Sequence, residues 1–245
     1  MKKLRGKRYL IGTSGWHYGH WQGSFYPADL ARSKWLEFYA GHFQTVEVNN
    51  SFYHLPSEKA FSTWRECTPQ GFVFSVKVSR FITHIRRLKD IGEAVDRFME
   101  RARLLGSKLG VLLYQLPGNI QQDIGLLGEF LQILPDDFRH VFEFRHVSWF
   151  DERVYDLLRH HKAGICIYDM PGYSSPVMAT SDFAYVRFHG SRQLYGGCYG
   201  DGELEVWAER IGRLGVGEIY IYFNNDAGGF ALQNALELRH LLEKR

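Results

Sequence analysis

Four short segments alternate apolar and polar side chains in a way that gathers chemically useful groups. They are Val46-Glu47-Val48-Asn49, Phe74-Ser75-Val76-Lys77-Val78, Phe142-Glu143-Phe144-Arg145 and Val186-Arg187-Phe188-His189. A strand whose apolar set packs on helices turns its other residues to the opposite face, because side chains alternate with a period of two. That places Glu47, Asn49, Ser75, Lys77, Glu143, Arg145, Arg187 and His189 together. Two carboxylates serve as general bases, a histidine exchanges protons with them, and three cations bind an anion. Lys77 also suits imine formation with a carbonyl group if burial lowers its pKa. The opposing reading is a lattice of ion pairs, such as Glu143 with Arg187 and Glu47 with Lys77, that only fills the interior.

The elements that position these groups follow from the rest of the chain. Eight apolar runs recur at 8–13, 45–50, 72–78, 109–115, 140–145, 164–169, 184–189 and 218–224, most of them separated by a stretch with helical spacing. Strand and helix alternating eight times predict an α/β fold, a closed (β/α)₈ barrel whose ligand site lies at the strands' carboxyl ends. The strand ends add Gln115, Tyr222 and Asn224 to the candidates, and Asp169 by position alone, since the sixth strand is too apolar to show which way it faces. Helices are expected over 33–43 with Ser33 as N-cap and Trp35, Leu36 and Tyr39 buried, and over 57–67 capped by Ser57. Others are expected over 90–105, 123–134, 151–161, 203–214 and 229–242. Pro171, Gly172 and Pro176 make 170–182 mostly loop, so the unit after the sixth strand lacks a full helix.

Composition bounds the rest. A chain of 245 residues, 45% hydrophobic and 16% aromatic, supports one barrel domain over 1–245, with 1–8 as a loose basic tail. A net charge of +3 argues against a broad nucleic-acid footprint, though it leaves room for a narrow basic mouth. Cys67, Cys166 and Cys198 form no CxxC spacing, so neither a disulfide framework nor a zinc motif is expected, and a reducing cytoplasm fits. No apolar stretch reaches the roughly 20 residues a membrane span needs. No cofactor motif is present. A metal is not expected either: Glu47, Glu143, Asp169 and His189 would be its donors, but three cations at the same mouth oppose a divalent ion. His17, His84 and His146 are as readily structural as ligating.

Several blocks resemble the YecE-like family (domain of unknown function 72). They are Gly12-Thr13-Ser14-Gly15-Trp16, Val46-Glu47-Val48-Asn49-Asn50-Ser51-Phe52-Tyr53 and Phe81-Ile82-Thr83-His84. Further along come Glu143-Phe144-Arg145-His146-Val147-Ser148-Trp149, Tyr185-Val186-Arg187-Phe188-His189-Gly190 and Tyr222-Phe223-Asn224-Asn225-Asp226. The resemblance spans nearly the whole chain and implies a TIM-like barrel. It supplies no reaction.

The residues therefore carry the functional expectation. It is a metal-independent, cofactor-free hydrolase or lyase for a phosphate- or carboxylate-bearing sugar or nucleotide-like ligand. Glu47, Lys77, Glu143 and His189 are the reacting groups. Trp16, Asn49, Tyr53, Gln115, Arg145, His146, Asp169, Arg187, Asn224 and Asn225 are the binding groups. A glycosidase using Glu47 and Glu143 is the first alternative, with loop aromatics such as Trp16, Trp21, Phe52, Tyr53 and Trp149 against sugar rings. A non-catalytic nucleic-acid binder is the second. Glycines at 190, 196, 197, 200 and 202 read either as a phosphate loop or as a lid.

Overall fold

Strand patterning of this kind closes on itself. In a computed structural model, which describes residues 6–244, eight parallel strands make a nearly closed barrel. These are β1 (Arg8–Thr13), β2 (Thr45–Val48), β3 (Val73–Lys77), β4 (Leu109–Leu116), β5 (Arg139–Phe144), β6 (Gly164–Met170), β8 (Phe183–Phe188) and β9 (Glu218–Phe223). The two-residue β7 (Tyr173–Ser174) folds back antiparallel on β6 within the expected loop. The ladder runs β1-β9-β8-β6-β5-β4-β3-β2. Outside it lie α1 (Trp35–Ala40), α2 (Asn50–Tyr53), α3 (Glu58–Cys67), α4 (Gly92–Arg103), α5 (Ile124–Gln132), α6 (Glu152–His160), α7 (Asp201–Gly212) and α8 (Phe230–Glu243).

Two apolar cores result. The larger joins the outward strand faces to the helices. The smaller fills the barrel, with Leu10, Val73, Val111, Leu113, Val141 and Cys166 below and tyrosines 168, 185, 220 and 222 around them. The alternation read from the sequence therefore assigns the inward faces correctly.

Caps form where short polar side chains precede a helix. Ser57, Asp123 and Asp151 each accept a backbone N–H of the first turn. Ser33 does not: it sits in a 3₁₀ turn, Arg32–Lys34, and α1 begins later without a side-chain cap and stops at Gly41. The helix expected from 90 starts at Gly92, because Arg87, Leu88 and Asp90 hold positive φ values of 51°, 68° and 49°. A π-helical turn, Phe81–Ile85, precedes them. The loose-tail expectation is corrected at its described end. Lys7 donates to the carbonyls of Gly212, the last residue of α7, and Leu214 just beyond it, and Arg8 opens β1 and pairs with Glu218 at 3.1 Å. Residues 1–5 of that tail lie outside the described residues. Among the described residues no helix is long and apolar enough to cross a membrane.

Between β1 and β2 a side chain does the work of a ladder. The Tyr39 hydroxyl accepts the Thr13 amide at 3.0 Å and donates to the Thr45 carbonyl at 3.2 Å. Tyr39→Phe keeps the ring but leaves both backbone groups unpaired in a buried seam. It is expected to cost about 1–3 kcal/mol in urea unfolding. An unchanged midpoint would show that the seam does not depend on this hydroxyl.

Candidate functional site

The inward polar residues form two layers. In the lower one Glu47, Glu143 and Arg187 are 0%, 0% and 1% exposed. Arg187 bridges the carboxylates, donating from Nη2 to Glu47 Oε1 and from Nη1 to Glu143 Oε2, each at 2.7 Å. Glu47 also accepts the Ser14 and Tyr185 hydroxyls at 2.7 Å each and the Asn49 amide at 3.0 Å. Glu143 takes Arg145 Nε at 2.5 Å. Burial alone would raise both carboxyl pKa values. For Glu47 the Arg187 charge and the surrounding hydrogen bonds outweigh it, and the value falls below the ordinary range. For Glu143 the charges of Arg145 and Arg187 hold it well below.

Both glutamates are thus ionised, buried and bonded to protein donors, an arrangement that does not favour their expected role as reacting groups. A base must reach its proton within hydrogen-bond distance, and these oxygens are already occupied by protein donors. The ion-pair reading holds for Glu143 with Arg187. Glu47 pairs with Arg187 rather than with Lys77.

His189, also expected to react, is similarly enclosed. It is 1% exposed, and Arg145 Nη2 lies 2.7 Å from its Nε2. The Asn224 side-chain nitrogen lies 3.2 Å from Nδ1, so both ring nitrogens face donors, and Glu143 Oε2 lies 3.7 Å from Nε2. Burial, then the Arg187 charge, lowers its pKa to about 4. The neutral ring holds Arg145 in place.

Above this layer Asn49, Lys77, Gln115, Arg145 and Asn224 are partly exposed at the carboxyl ends of their strands. Arg145 lies 4.5 Å from the Tyr168 ring centre, and among the described residues its Nη1 meets only the Met170 sulfur, at 3.0 Å. Lys77 Nζ, among the described residues, makes no hydrogen bond or ion pair and sits 4.0 Å over the Phe52 ring. Burial and the Arg187 charge push its pKa down to about 7 against the opposing pull of Glu143 and Glu47. The charge balance leaves burial uncompensated. Two carboxylates are matched by two guanidiniums, and the amine has no counter-ion of its own.

Other predicted residues do not join the mouth. Asp169 alternates with the inward Tyr168, so it faces outward and accepts the Ser174 and Tyr199 hydroxyls, the latter at 2.9 Å. Asn225 is fully buried and donates to the Gly197 carbonyl and Asn234, both at 2.9 Å. His146 caps a 3₁₀ turn by accepting the Ser148 amide at 3.2 Å. Trp16 is buried edge-on to Trp64 of α3, on the helix side of the barrel, with its indole N–H unpartnered. Tyr53 is 64% exposed at the rim.

The glycine-rich loop after β8 bonds to itself. The Gly190 amide reaches the Tyr199 hydroxyl, Gly196 the Gln193 carbonyl and Gly200 the Glu203 carboxylate. These amides are not free to cradle a phosphate. Among the described residues no group of three or more His, Cys, Asp or Glu side chains is arranged to hold a metal ion.

Three contributors were not placed in the site from sequence. Tyr185 shares the parity of Arg187, so the signal was present. Phe52 enters as the platform beneath Lys77 rather than as a sugar-stacking ring. His84 packs edge-on to Phe52 at 4.9 Å with Nδ1 2.9 Å from the Thr83 hydroxyl. Burial, then the Lys77 charge, lowers its pKa to about 4, so the ring is neutral. Nothing in the spacing marks that π-helical turn.

Comparison with known proteins fits this architecture. A sequence profile described as "Protein of unknown function DUF72" matches residues 10–245. The chain is 27% identical to the UPF0759 protein YunF of Bacillus subtilis, over 95% of this chain and 94% of that one. It is 34% identical to the UPF0759 protein YecE of Escherichia coli over 47% of this chain and 43% of YecE. The crystal structure of a DUF72 family protein from Thermotoga maritima superposes with a TM-score of 0.86 at 30% identity, covering 96% of this chain and 99% of that one. One from Enterococcus faecalis shares the fold, with a TM-score of 0.83 at 21% identity over 96% and 95% of the two chains. With its profile match running from the first strand to the last helix, the chain belongs to the DUF72 family.

Proposed function

We propose that this barrel is an enzyme for a small ligand bearing a carboxylate or phosphate, bound at the mouth against Arg145 and Lys77. The unpaired donors of the upper layer carry this reading. Arg145 Nη1 faces a thioether, a weak acceptor that an anionic oxygen would readily displace. Lys77 ends β3 on its inward face, with its amine free of protein oxygens among the described residues. The Glu47–Arg187–Glu143 bridge is the scaffold that fixes Arg145 rather than a part of the reaction.

Within this reading a lyase is favoured over a hydrolase, because no carboxylate base is open to the mouth. Glycoside cleavage needs one protonated carboxyl group, and both glutamates are held ionised. The aromatic platforms of a nucleic-acid binder are weakened by burial of Trp16, Trp21 and Trp149.

Saturating sulfate, phosphate or malonate, compared with potassium chloride at equal ionic strength, is expected to raise Tm by about 5 °C or more. Arg145→Gln, checked for folding by circular dichroism, loses most of that rise. A rise no larger than that given by chloride would overturn the reading.

A further inference from the structure

We infer that Lys77 is the nucleophile of this site and that the substrate class is a small aldehyde or ketone carrying the carboxylate or phosphate. This rests on the anion reading above and adds the reacting carbon to it. The geometry is specific to this lysine. It ends an interior strand, its carbonyl is tied by the Ser51 hydroxyl at 2.7 Å, and its amine lies over Phe52 without a bonded oxygen. The carboxylates that would otherwise claim the amine are saturated by Arg187, Arg145, Tyr185, Ser14 and Asn49. An amine in that state carries an available lone pair near neutral pH. Arg145 would hold the anionic end of the same molecule.

The chemistry balances without an added oxidant or reductant. The Nζ lone pair attacks the carbonyl carbon, and the C=O π pair moves to oxygen, which takes a proton from the nitrogen. The carbinolamine hydroxyl takes one further proton, supplied by solvent, and leaves as water while the nitrogen lone pair forms the C=N bond, giving a protonated imine on Lys77. Addition of water reverses each step and frees the amine. The neutral His84 ring, packed on the same Phe52, is the group positioned to carry protons between nitrogen and oxygen. The iminium withdraws electrons from the adjacent carbon, so the reaction class is proton removal or carbon–carbon cleavage beside the carbonyl.

The test uses the full chain with glyoxylate or glycolaldehyde phosphate and sodium cyanoborohydride, which reduces the C=N bond and fixes the adduct. Peptide mass mapping is expected to place the modification on Lys77 at least about tenfold faster than on any other lysine at pH 7. The advantage should shrink above pH 9, where other lysines lose protons. Propionaldehyde, which has no anion, should keep the pH-dependent preference for Lys77 but react there several-fold more slowly than glyoxylate, and Lys77→Arg should lose the fast site while keeping the fold. Comparing the two probes separates a carboxylate from a phosphate requirement. Uniform labelling of surface lysines, with sulfate still raising Tm, overturns the nucleophile and leaves the anion site standing. Uniform labelling with no anion-specific rise overturns both.

Discussion

Arg187→Ala is expected to destabilise the fold by about 3–5 kcal/mol in urea unfolding at pH 7, the cost of stranding buried charge. Glu47 suffers most. Without Arg187 it keeps only the neutral donors Ser14, Tyr185 and Asn49, whereas Glu143 retains Arg145. The pH dependence separates this from loss of packing. In the wild type both folded carboxyl pKa values are depressed. Their stabilisation is present above the unfolded carboxyl value, about 4.3, and is lost as pH falls through the folded values. In Arg187→Ala, burial without a cation raises the Glu47 value. Its penalty is then small near pH 4.3 and grows as pH rises through the folded pKa. The gap between wild type and variant should therefore narrow on acidification from pH 7 to 4.5. Adding Glu47→Gln to Arg187→Ala should restore part of the loss. A cost below about 1 kcal/mol, or one independent of pH, would contradict the bridge.

Gly12→Ala is the second large effect. Gly12 faces the seam between β1 and β2, and an added Cβ would lie 2.2 Å from the Thr45 carbonyl oxygen and 2.9 Å from the Tyr39 hydroxyl. One of these is backbone and the other is the hydroxyl that joins the two strands, so neither yields without opening the seam. We expect a loss of about 3 kcal/mol, the upper part of the overpacking range. Amide exchange should accelerate at Thr13, whose N–H is bonded to Tyr39. A variant with wild-type stability and Thr13 protection would show that the strands separate more readily than this packing implies.

Much of this architecture was legible because strand periodicity is a local property. The inward Glu47, Asn49, Ser75, Lys77, Glu143, Arg145, Arg187 and His189 followed from alternation, and Ser57 announced its helix. Depth within the barrel was not legible. Glu47 and Lys77 both face inward, but one is sealed and the other partly open, a difference set by how high each strand rises at the mouth. Helix starts failed where the backbone adopts positive φ, as at Arg87 and Asp90, because no glycine marks those positions. The turn carrying His84 and the hydroxyl of Tyr39 act through tertiary contacts that have no sequence period.

The most direct measurement is an NMR titration of the lysine side chains, with Lys77 assigned by its absence in Lys77→Arg. With both carboxylates matched by guanidiniums, one lysine should titrate near pH 7 and move upward when sulfate or malonate occupies the mouth. A Lys77 midpoint near the ordinary value, about 10.4, unmoved by either anion, would mean that the barrel neutralises itself and the account is wrong.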